Sequence, residues 1–182
     1  MKHLKTLVIH PDDRSTDFLK SVYKDIPNCK VMTRGTIWEV DLEIESADRV
    51  IMLGHGTPHG LLSVGQFKGS AYCVDAQSAN ILKAKKECIY IWCYASTFMK
   101  NHNLRGFGSG MFISEVSEAD YCGLPGQSKT DIDIQCDYFT KLVGAGVNLP
   151  SRKLYEMVSR EFNEVALHCP VARYNYERLH LA

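Results

Sequence analysis

Two residues with reactive side chains stand at the ends of two similar hydrophobic runs. Val50-Ile51-Met52-Leu53 leads into Gly54-His55-Gly56, and Ile89-Tyr90-Ile91-Trp92 ends at Cys93. Short runs rich in β-branched and aromatic residues read as strands buried on both faces, the kind found inside a parallel sheet. Open α/β sheets gather their chemistry at the carboxyl ends of such strands. If the two strands are neighbours, an imidazole and a thiol meet across that edge as a nucleophile with a base beside it. Cys93 would attack a carbonyl carbon. His55 would orient or deprotonate the thiol and later protonate the leaving amine. The competing role for Cys93 is a small core hydrophobe. The matching His-Gly strand favours catalysis.

Other candidate groups carry less. His59 follows His55 by four residues. On a helix that spacing suits a metal ion, but Gly56, Pro58 and Gly60 disfavour a helix, and no Cys pair or carboxylate joins in. His59 and His102 therefore read as loop residues, and no metal is expected. Asp12-Asp13 resembles the acidic pair of receiver domains. A receiver also needs an aspartate after its third strand, where this chain has His55. Gly106–Gly110 is glycine-rich, but it precedes a predicted strand, whereas a phosphate cradle follows a strand and opens a helix. No cofactor is expected.

These groups need a scaffold, and the chain supplies one in alternating pieces. Strands are predicted at Leu4–His10, Cys29–Thr33, Arg49–Gly54, Glu87–Trp92 and Met111–Val116, with a sixth in the tail Pro170–Leu181. Helices are predicted from a Ser15 cap to Lys24, from an Asp75 cap to Ala84, from a Thr130 cap over Asp131–Val143, and over Ser151–Val165. The acidic stretch 36–47 reads as a short helix or loop beside the third strand, although its alternation of Trp38, Val40, Leu42 and Ile44 also suits an edge strand. Small hairpin strands are predicted at Leu61–Val64 and Ala71–Val74. Strands alternating with helices imply an α/β fold, a mostly parallel sheet of about six strands between two helical layers. At 182 residues and 45% hydrophobic, the chain suits a single domain, 1–182.

Charge narrows the partners. Lys+Arg and Asp+Glu are equal at 21 each, so no net basic field gathers nucleic acid or an anionic membrane. No apolar stretch approaches membrane-spanning length. The N-terminal apolar run is too short for a signal peptide. Seven scattered cysteines without a CxxC pair suit reduced thiols and a cytoplasmic location.

A strand ending in His-Gly, followed by one ending in Cys before small residues, resembles the caspase-like (clan CD) cysteine peptidases, and among them CHAT domains. Gly54-His55-Gly56 matches the His-Gly motif, and Trp92-Cys93-Tyr94-Ala95-Ser96 the Cys motif. Ala95-Ser96 replaces the more usual acidic-Thr-Ala, a departure that bears on activity more than on fold. The resemblance spans Arg49 to the C-terminus. It implies a three-layer α/β/α sandwich and a cysteine endopeptidase acting on a protein or peptide substrate through a His55–Cys93 dyad. The Gly56 N–H suits an oxyanion donor, because a residue without a side chain lets substrate approach the backbone. The resemblance adds the Cys93 N–H as the second donor. It also assigns Ser114–Asp120 to the pocket for the residue before the scissile bond. Glu115, Glu118 and Asp120 there imply cleavage after Lys or Arg. Two other readings stay open: a catalytically silent caspase-like module that binds a protein partner, and a flavodoxin-like or receiver-like ligand-binding domain.

Overall fold

A computed structural model describes residues 4–182; Met1, Lys2 and His3, where the N-terminal stretch considered as a leader begins, lie outside the described residues. The central sheet has six strands: β1 (Thr6–Ile9), β2 (Lys30–Met32), β3 (Arg49–Leu53), β4 (Ile89–Ile91), β5 (Phe107–Ser109) and β6 (Leu179–Leu181). Their order is β6-β5-β4-β3-β1-β2. The first five run parallel, and β6 closes one edge antiparallel to β5.

The uninterrupted apolar runs follow from cover on both faces. Leu7, Ile9, Val50, Met52, Tyr90 and Trp92 pack on one side. They meet α1 (Ile37–Ser46), α2 (Ala76–Leu82) and α3 (Ala95–His102). Val8, Ile51, Leu53, Ile89, Ile91 and Phe107 face the other side. They meet α5 (Lys129–Gly146), α6 (Ser151–Ala166), α7 (Pro170–Tyr176) and a 3-10 helix at Arg14–Val22, while α4 (Val116–Tyr121) contributes Ala119. The protein is thus mixed α/β with a mostly parallel sheet between helices. Among the described residues no helix is long and apolar enough to cross a membrane.

Local chemistry settles the ambiguous segment. Thr36 and Glu39 form a capping box that starts α1: the Glu39 N–H donates to Thr36 Oγ1 at 3.2 Å and the Thr36 N–H to Glu39 Oε2 at 2.7 Å. Only Val40 and Ile44, four apart, are buried, while Trp38 is 67% exposed, so the apparent period of two loses to the period of a helix.

Four predictions are corrected. The first helix is a 3-10 helix capped by Asp13, with Ser15 inside it. The long helix is capped by Ser128 rather than Thr130, and it runs through Gly144 to Gly146. The fifth strand is not Met111–Val116 but Phe107–Ser109, within the stretch read as its lead-in. Its glycines permit close neighbours: a Cβ on Gly106 would lie 2.2 Å from the Cys88 carbonyl, and one on Gly108 2.5 Å from Met99 Sδ. Beyond it, the buried Asn175 side chain takes over sheet-like pairing. The Ile113 N–H donates to Asn175 Oδ1 at 2.7 Å, and Asn175 Nδ2 donates to the Ile113 carbonyl at 3.0 Å. Finally, the tail forms α7 before it turns into β6, so the sixth strand is confined to Leu179–Leu181.

Candidate active site

Strands β3 and β4 are neighbours, with Leu53 opposite Ile91, and the Gly54 N–H extends the pairing to the Ile91 carbonyl at 3.1 Å. His55 and Cys93 therefore leave the sheet side by side at its carboxyl edge. After His55 the chain enters a small three-stranded sheet, Gly56–Thr57 with Gly60–Leu62 and Tyr72–Val74. After Cys93 it turns sharply. Tyr94 adopts a left-handed conformation (φ 68°, ψ 20°), and the Ala95 N–H donates to the Trp92 carbonyl at 3.1 Å as α3 begins. A bulky residue held at positive φ is an outlier of the kind that clusters at functional sites.

The two reactive side chains line one cavity together with Thr16, Phe18, Phe112 and Glu118. Its volume of about 20 Å³ holds roughly one water. The Cys93 thiol donates weakly to the Phe112 carbonyl at 3.6 Å. Burial, with the Glu118 carboxylate adding to it, pushes that thiol up to about 11. At neutral pH Cys93 is a thiol, so reaction at sulfur requires removal of its proton.

Sequence reasoning missed the groups that hold His55. Its Nε2 lies 2.7 Å from Ser15 Oγ and 3.7 Å from Asp13 Oδ2. The Ser15 hydroxyl and backbone N–H both contact Asp13 Oδ1, at 2.8 and 2.9 Å. These two bonds hold the Asp13 carboxyl below the usual carboxylate range, and the charge of His55 adds a smaller effect. Asp13 and Ser15 follow β1, the strand on the far side of β3 from β4. The recoverable signal was an Asp-x-Ser at the end of that strand, but using it required the sheet order. The same loop is anchored from beneath by buried His10, whose Nε2 lies 3.0 Å from Thr16 Oγ1 and whose Nδ1 lies 3.1 Å from the Tyr23 hydroxyl. Burial, with the Lys20 charge next, brings the His10 imidazole down to about 4.

Gly56 sits on the edge of its small sheet. It pairs opposite Leu61, and the Leu62 N–H donates to the His55 carbonyl at 2.9 Å. That register makes Gly56 a non-hydrogen-bonded position, so its N–H points away from the ladder. A Cβ on Gly56 would meet Trp92 Cδ1 at 1.9 Å, and Trp92 Nε1 donates to the Thr57 carbonyl at 3.2 Å. The absent side chain is what lets the His-Gly turn lie on the strand that carries Cys93.

The three acidic residues are separated. Glu118 reaches the cavity, but its Oε2 accepts from the Ser114 N–H at 2.7 Å, the Ser114 hydroxyl at 3.0 Å and the Glu115 N–H at 3.1 Å. Glu115 lines an adjoining cleft of about 350 Å³ with Arg14, Ser15, Phe18 and Asp133. Asp120 is exposed on α4. Glu115 is the N-cap residue of α4 rather than part of the strand predicted at Met111–Val116. His59 lies in the tight connection between two short strands, and its N–H donates to Thr57 Oγ1 at 3.1 Å. His102 is on α3 rather than in a loop, its ring 4.6 Å from that of Phe98. Among the described residues no group of three or more His, Cys, Asp or Glu side chains is arranged to hold a metal ion. No protein-family model, curated protein or solved structure matches the chain.

Proposed function

We propose that the protein is a cysteine endopeptidase of the caspase-like type, related to CHAT domains, with Cys93 as nucleophile and His55 as its base. One observation carries this reading: imidazole and thiol leave adjacent parallel strands and line one cavity. The order of elements after Cys93 is consistent with it: a further strand, two long helices and a terminal strand. In the proposed reaction His55 takes the thiol proton as sulfur attacks the peptide carbonyl, and the Gly56 and Cys93 N–H groups receive the oxyanion. His55 then protonates the leaving amine, and water releases the acyl group from sulfur. Glu115, in the adjoining cleft, is the carboxylate best placed to select Lys or Arg, since Glu118 is spent on backbone N–H groups and Asp120 faces solvent.

A fluorogenic peptide library tests this. Cleavage after Lys or Arg, abolished by Cys93→Ala and by His55→Ala and shifted away from basic residues by Glu115→Gln, is the expected result. Absence of any cleavage or of Cys93 labelling by peptidyl electrophiles would favour the second reading, a silent caspase-like module that binds a protein partner. The tight cavity and the thiol near 11 are the observations on that side.

A further inference from the structure

We infer that Asp13 and Ser15 are positioning residues for His55, fixing its ring proton on Nε2 so that Nδ1 is the atom that takes the proton of Cys93; the second half rests on the Cys93–His55 reading above. The assignment follows from counting protons. The Ser15 hydroxyl has one proton and two close partners, Asp13 Oδ1 at 2.8 Å and His55 Nε2 at 2.7 Å. An ionised carboxylate only accepts, so the hydroxyl proton points at Asp13. The contact to His55 then needs its proton on the nitrogen. A neutral imidazole has a single ring proton, and with that proton on Nε2 the lone pair is on Nδ1. In the transfer the S–H bond of Cys93 breaks and the Nδ1–H bond forms, with no other reagent consumed. The imidazolium produced has Asp13 Oδ2 3.7 Å from its Nε2, and this carboxylate favours the charged ring.

Capping alone does not account for the arrangement. The cap of the 3-10 helix uses Asp13 Oδ1, accepting from the Ser15 N–H at 2.9 Å. Oδ2 is the oxygen turned to His55. Ser15 lies inside the helix, and its hydroxyl joins the carboxylate to the ring. His10 secures the next residue through Thr16, so the loop is fixed on both sides of Ser15.

The experiment reads the ring directly. Nitrogen-resolved NMR of the full chain is expected to show a proton on Nε2 and a bare Nδ1 for His55 at neutral pH. Asp13→Asn keeps the oxygen that both the Ser15 N–H and hydroxyl contact, but puts an amide N–H in place of Oδ2 opposite His55, which favours a bare Nε2; Ser15→Ala removes the link. Both variants are expected to mix the tautomers and to slow iodoacetamide alkylation of Cys93 several-fold. Ser15→Thr, which retains a hydroxyl, is expected to restore both. Repeating the NMR in Cys93→Ala separates the two claims. A preserved Nε2 proton that is lost on adding Asp13→Asn supports the positioning role even where no peptide is cleaved. A proton on Nδ1 in the unaltered protein, or a tautomer and alkylation rate unchanged in both Asp13→Asn and Ser15→Ala, would overturn it.

Discussion

Buried His10 should make the protein lose stability in mild acid, by an amount that follows from its surroundings. In the unfolded chain the imidazole titrates near 6.5, and in the folded chain at about 4. Above pH 6.5 both states are neutral and the group is silent. Below that value the unfolded chain takes up a proton that the folded chain refuses, so stability falls until the folded form protonates near pH 4. The full loss is about 3 kcal/mol, of which about 2 kcal/mol is gone by about pH 5. The physical reason is plain: His10 is 2% exposed, both ring nitrogens face hydroxyls, and no carboxylate bonds to the ring. Denaturant titrations from about pH 7.5 to about pH 4.5 would measure it, with His10→Gln as the reference that cannot titrate. The wild-type curve should fall toward the variant's as acid is added, because contributions from other groups cancel in the difference. Parallel curves, or an NMR titration of His10 near its unfolded value, would refute the reasoning. Because His10 anchors Thr16, acid should also disturb the Ser15–His55 contact before the sheet unfolds.

Two further perturbations test the site's scaffold. Gly56→Ala places a methyl 1.9 Å from Trp92 Cδ1 and should cost about 1–3 kcal/mol in a thermal or denaturant melt, with loss of any peptidase activity. Asn175→Ala removes the partner of the buried Ile113 N–H and leaves its carbonyl only the weak Cys136 thiol donor at 3.7 Å; it should cost about 2 kcal/mol and speed alkylation of Cys93, read by mass spectrometry of the labelled thiol.

The parts legible in sequence were those written in one local pattern. Val50–Leu53 and Ile89–Trp92 announced buried strands because both faces of the sheet are covered. Their ends supplied His55 and Cys93, and the short loops around Gly54 and Tyr94 left little freedom in where these residues could go. What escaped was written across distance. Met111–Val116 had the composition of a strand, but Asn175, far along the chain, satisfies the backbone of Ile113, and the strand forms instead where glycines admit close neighbours. Ser15 satisfied the rule for a helix cap, yet Asp13 is the cap and Ser15 reaches His55. The pocket residues scattered for the same reason: once 116–121 coils into α4, Glu115, Glu118 and Asp120 no longer lie along one extended segment.

The narrow cavity at Cys93 turns the thiol into a clock. Cys93 keeps some exposure, but the space of about 20 Å³ beside it is too small for a reagent larger than water, so attack from the cavity side would need the Phe112–Ser114 wall to move. If the wall recloses faster than reagent attacks, the observed rate is the opening equilibrium constant times the intrinsic rate, and it rises linearly with reagent concentration. If reagent is fast enough to trap every opening, the rate reaches a plateau equal to the opening rate itself. In the proposed peptidase the same motion would also limit turnover, since a peptide carbonyl must pass the wall before it meets sulfur.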